Sequence, residues 1–216
     1  MSADFTVNAD FATYHAIERV VLTERGARDT ARWDVMAEQF HPDSVVDISW
    51  IRTSGPEFVR LSRASFEAGG RGAHVLGPVL IDVNGDRATA DAAAVITGQA
   101  VLGGVPITLT AYGRVVERLE RRAGRWRISE LRCVYEFDQL TPNDPDQPVG
   151  LNPERLARYR PSYSALSYWV EETRGTDAVR DDLPGVDRPE TVDALYAANA
   201  AWLAAAVHPS EPEGDS

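Results

Sequence analysis

The sequence predicts an α+β domain in which N-terminal helices cover a curved antiparallel sheet that forms a cone, followed by a C-terminal helical extension. Three observations lead to this prediction. Apolar residues in the first third of the chain recur at helical spacing, the middle third reads as long strands joined by turn residues, and an alanine-rich helical stretch lies near the C-terminus. Helices followed by hairpin-linked strands are typical of domains in which helices pack on one face of an antiparallel sheet.

Three helices are predicted before the first long strand. The first covers residues 11–28, and Thr30 is then placed to cap a second short helix that runs to Gln39. The segment HPDS breaks that helix, and VVDISW follows as a first strand. The third helix is predicted in SGPEFVRLSRASFEAGG, because Ser-Gly-Pro is typical of a helix start and the double glycine of a stop.

Four long antiparallel strands follow. AHVLGPVLIDV turns at NGD into RATADAAAVITGQAV, which is a strong hairpin signal, and VPITLTAYGRVVERLERR turns at AGR into WRISELRCVYEFDQL. Strands of about 12 to 15 residues exceed the usual length, so curvature or bulges are expected. Such a sheet encloses a pocket, and His74, Leu76 and Leu80 share its inner face if no bulge intervenes.

The chain divides into four predicted parts. Residues 1–140 form the cone domain, 141–152 a linker rich in Pro, Asp and Asn, 153–207 the helical extension, and 208–216 a disordered tail. The extension concentrates Tyr and Trp, which bury area while keeping a polar tip in water. Two roles are left open: packing on the sheet or between subunits, and closing the mouth of the cone as a lid.

Charge and composition exclude several classes of partner. The chain carries 22 Lys and Arg against 33 Asp and Glu, a net charge of −11, so no basic stripe is present for nucleic acid. The same charge disfavours anionic membranes, and no apolar run reaches the roughly 20 residues of a membrane span. The N-terminus lacks a secretory pattern and Cys133 is the single cysteine, which together predict a cytoplasmic location and an inert core thiol.

A set of short motifs occurs in a characteristic order. DTARW has an Asp four positions before its Trp, FHPD precedes the first strand, AHVLG opens the next strand with a His, and GDRA and GRWRI follow. In this order the motifs resemble the SnoaL-like branch of the nuclear transport factor 2-like superfamily, over about residues 10–140. The resemblance is specific to a fold and not to a reaction.

Within that superfamily the chain is most similar to scytalone dehydratase-like enzymes, which pair an aspartate at the end of helix one with a histidine on the following strand. Asp29 matches the aspartate and His74 the histidine. The resemblance implies that His74 acts as general base and acid, that Asp29 orients it, and that the protein forms dimers or trimers. Related enzymes carry a tyrosine five positions before the aspartate or directly before it, where this chain has Glu24 and Arg28.

The residue pattern alone leaves other interpretations open. His74 also reads as a strand-end residue, and Asp29 as a helix cap or the partner of a surface arginine. The predicted substrate-binding residues, each of which also reads as a core or rim residue, are Glu24, Trp50, Tyr112, Arg114 and Arg132.

The expected chemistry needs no metal and no cofactor. The histidines show no metal-ligand spacing, and the chain has no P-loop, dinucleotide or serine-elbow motif. The predicted function is a dehydratase-like lyase that uses Asp-His acid/base chemistry on a hydrophobic, cyclic or polyketide-like small molecule. A polyketide cyclase or isomerase is one alternative, and a non-catalytic small-molecule binding or assembly module is the other.

Overall fold

The computed structural model describes residues 11–205. The α-helices are α1 (Phe11–Asp29), α2 (Trp33–Ala37), α3 (Gly55–Glu67), α4 (Pro153–Leu156), α5 (Ser164–Arg174) and α6 (Pro189–Ala204). The strands are β1 (Phe40–Ile48), β2 (Ile51–Ser54), β3 (Arg71–Asn84), β4 (Arg87–Leu102), β5 (Val105–Arg122) and β6 (Arg125–Pro142).

The strands form one curved, unclosed sheet in the order β2-β1-β6-β5-β4-β3. The three hairpins from β3 to β6 are antiparallel along their whole length, and helices cover the inner face. The predicted α+β class is therefore confirmed. One pairing adds to it: β1 lies parallel to β6, although more than 70 residues, which include β2 to β5 of the same sheet, separate the two strands in the chain.

The first strand is longer than predicted. It begins at Phe40, so the segment HPDS lies within the strand and does not end it. The pairing with β6 shifts register between Phe40 and Val45, and the Ser44 hydroxyl donates to the His41 carbonyl at 2.6 Å across this irregularity. The proline is accommodated there, where the ladder is interrupted. The short strand β2, which extends the sheet by one edge, was not predicted.

The predicted cap at Thr30 is wrong. Helix α1 continues through Asp29, and the Thr30 hydroxyl donates back to the Gly26 carbonyl at 2.5 Å. A turn through Ala31, whose φ is 56°, then leads to α2, which has no side-chain cap. By contrast, the third helix begins as predicted, with the Ser54 hydroxyl accepting from the Glu57 amide.

A bulge in β3 changes which residues share its inner face. The register with β4 shifts between Leu76 and Val79, so the alternation of sides is reset. Leu80 is consequently 64% exposed, while the side chain of His74 is only 4% exposed. His74 therefore faces inward without Leu80.

The C-terminal extension packs on both faces of the sheet. Leu166 and Val170 of α5 join the core between the helices and the inner face, whereas Leu195 of α6 packs on Val116 and Val134 of the outer face. Strand β6 runs to Pro142 and so includes the first two residues of the predicted linker. The predicted tail lies outside the described residues.

Within residues 11–205, no helix combines the length and the apolar character that crossing a membrane requires.

Candidate active site

A cavity of about 220 Å³ lies between the helices and the inner face of the sheet. Helices α1, α3 and α5 and strands β3 to β6 all contribute to its wall. Most of the wall is apolar, and its largest side chains are Trp33, Trp50, Phe58, Phe66, Ile96 and Trp169. A concave, mostly apolar site with few polar groups is typical of small-molecule binding.

Asp29 and His74 meet in this cavity. The last residue of α1 is Asp29, and its Oδ1 lies 2.7 Å from Nδ1 of His74. Its Oδ2 accepts a second hydrogen bond, also 2.7 Å long, from the His74 backbone amide. Both carboxylate oxygens are thus used to hold one histidine, which fixes the ring orientation. The helix end and the strand edge that carry them are packed against each other, so the pair is held by the fold.

The other ring nitrogen of His74 faces an arginine. Nη1 of Arg28 lies 3.2 Å from His74 Nε2. A guanidinium only donates and an ionised carboxylate only accepts, so Nδ1 carries the proton and Nε2 carries the lone pair. Arg28 also reaches the Ser62 hydroxyl at 3.5 Å. The histidine is consequently a neutral base whose Nε2 lone pair accepts a hydrogen bond from the Arg28 guanidinium.

The electrostatics favour this neutral histidine. Burial lowers the pKa of His74 to about 4; the Asp29 hydrogen bond opposes this shift, and the charges of Arg25 and Arg28 add to it. Burial alone would raise the pKa of the Asp29 carboxyl, but the hydrogen bonds from His74 outweigh it and hold that pKa below its usual value. At neutral pH the pair is an ionised aspartate and an uncharged imidazole.

Glu24 lies below the cavity and not in its wall. Its carboxylate is fully buried and binds the Arg25 guanidinium through two hydrogen bonds, one of them 2.7 Å long. Arg25 itself reaches the cavity wall. The acid at the position where related enzymes carry a tyrosine is therefore neutralised by its own neighbour in the chain.

A second buried carboxyl lies near this ion pair. Glu117 on β5 is fully buried, and neither of its oxygens has a hydrogen-bond partner among the described residues. Burial raises the pKa of Glu117 to about 8, and the charge of Glu24 adds to the rise, so the carboxyl is protonated at neutral pH. Burial also raises the pKa of the free Cys133 thiol to about 11, which leaves it uncharged although it reaches the cavity wall.

Of the predicted substrate-binding residues, only Trp50 lies in the cavity wall. Tyr112 stacks on the Phe137 ring at 4.3 Å. Arg114 and Arg132 lie on the outer face, where they bind Asp91 and Glu130. The alternation of side chains along β5 and β6 turns these positions away from the cavity, so they are not placed to touch a molecule in it.

The extension supplies part of the wall that the sequence did not predict. Leu166, Trp169 and Arg174 of α5 line the cavity. The available signal is the spacing of three residues between Leu166 and Trp169, which places these two on one helical face, with Arg174 at the end of the helix. That spacing does not say what the face packs against. The extension therefore packs on the sheet and also closes one side of the cavity.

No group of three or more His, Cys, Asp or Glu side chains within residues 11–205 is arranged to hold a metal ion.

Comparison with known proteins gives a family and two relatives. The sequence profile of the SnoaL-like domain matches residues 9–132. A PEP2-like protein of Fusarium vanettenii is 31% identical over 201 residues, which cover 87% of this chain and 86% of that protein. Pea pathogenicity protein 2 of the same organism is 29% identical over 202 residues, with the same shares covered. Matches over 87% of the chain extend past the domain profile into the C-terminal extension.

Solved structures share the fold. A hexachlorocyclohexane dehydrochlorinase (LinA) Type2 superposes with a TM-score of 0.55 and 17% identity, over 65% of this chain and 96% of that one. At this identity the likeness concerns the path of the backbone.

Proposed function

Because this chain belongs to the SnoaL-like domain family, we propose that it is a cofactor-independent dehydratase-like lyase that acts on a hydrophobic, cyclic or polyketide-like small molecule. One observation carries the proposal: a neutral histidine, oriented by two hydrogen bonds to Asp29, presents its Nε2 lone pair in an apolar cavity. General acid/base catalysis needs a base of this kind within reach of the proton it removes.

The proposed elimination removes water from a β-hydroxy ketone. His74 Nε2 takes the proton from the carbon next to the carbonyl, and the electrons of that C–H bond form an enolate. The enolate electrons then form the carbon–carbon double bond as the β C–O bond breaks. The proton on Nε2 passes to the leaving hydroxyl, which departs as water. One base that takes and returns a proton on the same side balances the reaction and leaves His74 neutral again.

Arg28 has the position and charge to stabilise the enolate oxygen. It stands directly before Asp29, at a position where related enzymes carry a tyrosine, and its guanidinium faces His74 Nε2 at 3.2 Å. Burial lowers the pKa of Arg28 to about 10, and the charge of Arg25 adds to this, so the group stays cationic at neutral pH. A substrate carbonyl that takes over the bond from Arg28 would free the lone pair at the same time.

Two alternatives use the same cavity. A cyclase or isomerase would form the same enolate without losing water, and a binding or assembly module would hold a ligand without turnover. The name of pea pathogenicity protein 2 describes a biological role and no reaction. The dehydrochlorinase shares only its fold with this chain. An enzyme is preferred to a binding module because both oxygens of Asp29 bind His74, an arrangement that ligand binding alone does not require, and the mass of the product distinguishes a lyase from a cyclase or isomerase.

The test is a panel of cyclic β-hydroxy ketones, with and without a carboxyl substituent, incubated with the full chain and followed by mass spectrometry. The proposed function predicts loss of one water from at least one compound, and a fall in rate of about 10²- to 10⁴-fold in His74→Ala. His15→Ala is the matched control, because His15 is exposed on α1.

Each other outcome has a meaning. A product of unchanged mass supports the cyclase or isomerase. Saturable binding with no product supports the binding module. Turnover that survives in a folded His74→Ala variant removes His74 from the chemistry and contradicts the proposed mechanism.

A further inference from the structure

The cavity concentrates positive charge in an acidic chain. The net charge of the whole sequence is −11, yet four arginines line this one cavity: Arg25, Arg28, Arg71 and Arg174. Within residues 11–205 the only carboxylate in the wall is Asp29, which is bound by His74, and Glu24 behind the wall offsets only Arg25. A concave surface lined by one sign of charge attracts ligands of the opposite sign.

Arg174 is the first of two exposed cavity arginines that bind no carboxylate among the described residues. It is the last residue of α5, and its guanidinium lies 4.8 Å from the centre of the Trp50 ring. Among the described residues it has no ion pair, and burial alone lowers its pKa below the ordinary value. The indole face holds the guanidinium by a cation–π contact, which leaves its N–H donors unused.

Arg71, the first residue of β3, repeats this arrangement. Its guanidinium lies 4.0 Å from the centre of the Phe66 ring. Its Nη1 donates to the backbone carbonyls of Phe66 and Gly70, both at 2.8 Å, which fixes the side chain while Nε and Nη2 remain available in the described structure. Phe66 and Trp50 both line the cavity, so each arginine is held at the cavity by an aromatic ring of its wall.

The cavity also has a direction. Arg71 and Arg174 are exposed, whereas the side chain of His74 is 4% exposed and Arg28 is half-buried. The two unpaired arginines therefore mark the solvent end, and the Asp29–His74 pair marks the deep end. Most of the remaining wall is apolar and aromatic.

We infer that the ligand of this cavity is a hydrophobic organic acid, whose carboxylate is bound at the mouth by Arg174 and Arg71 while its apolar body reaches toward His74. The inference rests on the site of the proposed function and names the class of its substrate. Guanidinium groups bind carboxylates with two parallel hydrogen bonds, which a neutral ester or amide cannot form. The acid requirement also gives the C-terminal extension a specific part, because Arg174 comes from it.

The experiment measures binding without turnover. The probes are 2-naphthoate and its uncharged isostere 2-naphthamide, titrated into the full chain while tryptophan fluorescence is recorded, since Trp33, Trp50 and Trp169 line the cavity. The expected result is that naphthoate binds at least tenfold more tightly than naphthamide. Raising the salt concentration should weaken the binding of naphthoate and leave that of naphthamide nearly unchanged.

The variants are Arg174→Gln and Arg71→Gln. Each should weaken naphthoate binding by about tenfold, the effect of one charge-assisted hydrogen bond, and leave naphthamide binding unchanged. Arg125→Gln removes the same unit of charge from an exposed arginine outside the cavity wall and should change neither. A thermal melt of each variant shows that it is folded.

Equal affinity for the two probes, or naphthoate binding that is unchanged in both arginine variants, would overturn the inference. This result is distinct from failure of the proposed function. Selective binding of the acid without any elimination would keep the substrate class and reject the lyase. Elimination from neutral ketones with no preference for acids would keep the lyase and reject the substrate class.

Discussion

Arginines on the outer face of the sheet and arginines in the cavity on its inner face have different binding partners. Three arginines of the outer face, Arg114, Arg118 and Arg132, bind carboxylates of the sheet, which are Asp91 on β4 and Glu130 on β6. Of the four arginines in the cavity wall, Arg25 binds Glu24, whereas Arg28, Arg71 and Arg174 are held by a histidine, by aromatic rings and by backbone carbonyls.

This difference separates stability from function. The outer-face arginines use their donors inside the protein and tie α6 to the sheet, as Arg118 does through the Asn199 side chain at 2.8 Å. The other three cavity arginines are positioned without being neutralised, and a cation kept unpaired beside an apolar wall costs folding free energy. Such a cost is expected where a ligand supplies the missing partner. The predictions below test this separation, from the largest expected effect to the smallest.

The largest effect is expected at the deep end of the cavity. Asp29→Asn should lower turnover of any substrate found by about 10³-fold, because the amide no longer fixes the protonated Nδ1 of His74 or stabilises the charged ring. Folding should be retained. Asp34→Asn, an exposed aspartate on α2, is the control. Steady-state kinetics and a thermal melt measure the two effects, and a rate equal to that of the control would mean that Asp29 is only structural.

The next effect concerns the unpartnered carboxyl of Glu117. Its pKa is raised to about 8 in the folded protein, so the folded state holds the proton more tightly than the unfolded chain. The free energy of unfolding should therefore fall as the pH rises from about 4.5 to 8. Glu117→Met should remove this dependence and be more stable than the parent by about 3 kcal/mol at pH 8.5, since no buried charge has to form.

Urea unfolding at several pH values measures this effect. Glu67→Met, at an exposed position of α3, should keep the pH dependence of the parent chain. A pH profile unchanged by Glu117→Met would contradict the assignment.

A smaller effect is expected on the outer face. Asp91 accepts from Arg114 at 2.7 Å and from the Tyr196 hydroxyl of α6 at 2.9 Å. Asp91→Ala should cost about 1–2 kcal/mol of unfolding free energy, because both bonds are partly buried, and should leave naphthoate binding unchanged. Asp86→Ala, which breaks a more exposed ion pair with Arg121, should cost less than about 0.5 kcal/mol. Loss of ligand affinity in Asp91→Ala would show that the two faces are coupled.

The smallest effect is expected on the pKa of His74 when the charge of Arg28 is removed. Arg28→Gln should raise the pKa of His74 by about half a unit to one unit, because burial is the main cause of its depression and Arg28 is one of two cations that add to it. Histidine NMR across pH measures the shift, with Arg19→Gln on the exposed side of α1 as control. No movement of His74 would mean that the guanidinium does not act on the ring.

The same pKa sets the sign of a stability change in acid. His74 is neutral in the folded state to about pH 4, while a free histidine is protonated below about 6.5. Between these two pH values His74 takes up a proton in the unfolded state but not in the folded state, so the unfolded state is stabilised relative to the folded state. The stabilising contribution is therefore complete above pH 6.5 and is lost as the pH drops toward 4. Arg28→Gln should raise the folded-state pKa of His74 and so narrow the pH range over which this stability is lost.

The sequence predicted the fold class because helical and strand periods are local signals. The four long strands and the third helix each contain their own turn or cap residues, and the hairpin register follows from the turns NGD and AGR. The parallel pairing of β1 with β6 was not predictable in this way, because it joins segments about 80 residues apart and no turn connects them. The prediction of a cap at Thr30 was wrong because α1 extends one residue further than predicted, to Asp29, and the Thr30 hydroxyl binds the end of that helix. The extended helix ends with Asp29 in contact with His74.

The site was predictable only in part. The positions of Asp29 and His74 followed from the family resemblance, and their contact is present. Arg28 was noticed as a departure from the tyrosine pattern, but only the geometry shows it facing Nε2. The outer placement of Arg114 and Arg132 depends on strand alternation and curvature. Arg174 was not predicted as a cavity residue because its role depends on where α5 docks, and a helical face does not name its partner.

The order of the chain has a consequence for the making of the protein. The ribosome releases the N-terminal helices and the sheet first, and α5, which carries Leu166, Trp169 and Arg174, only later. Domains generally begin to fold as they emerge. A nascent chain that ends within the linker contains Asp29 and His74 but lacks Leu166, Trp169 and Arg174, and so lacks one of the two arginines inferred to bind the carboxylate. Selective capture of an organic acid should therefore appear only once translation has passed α5.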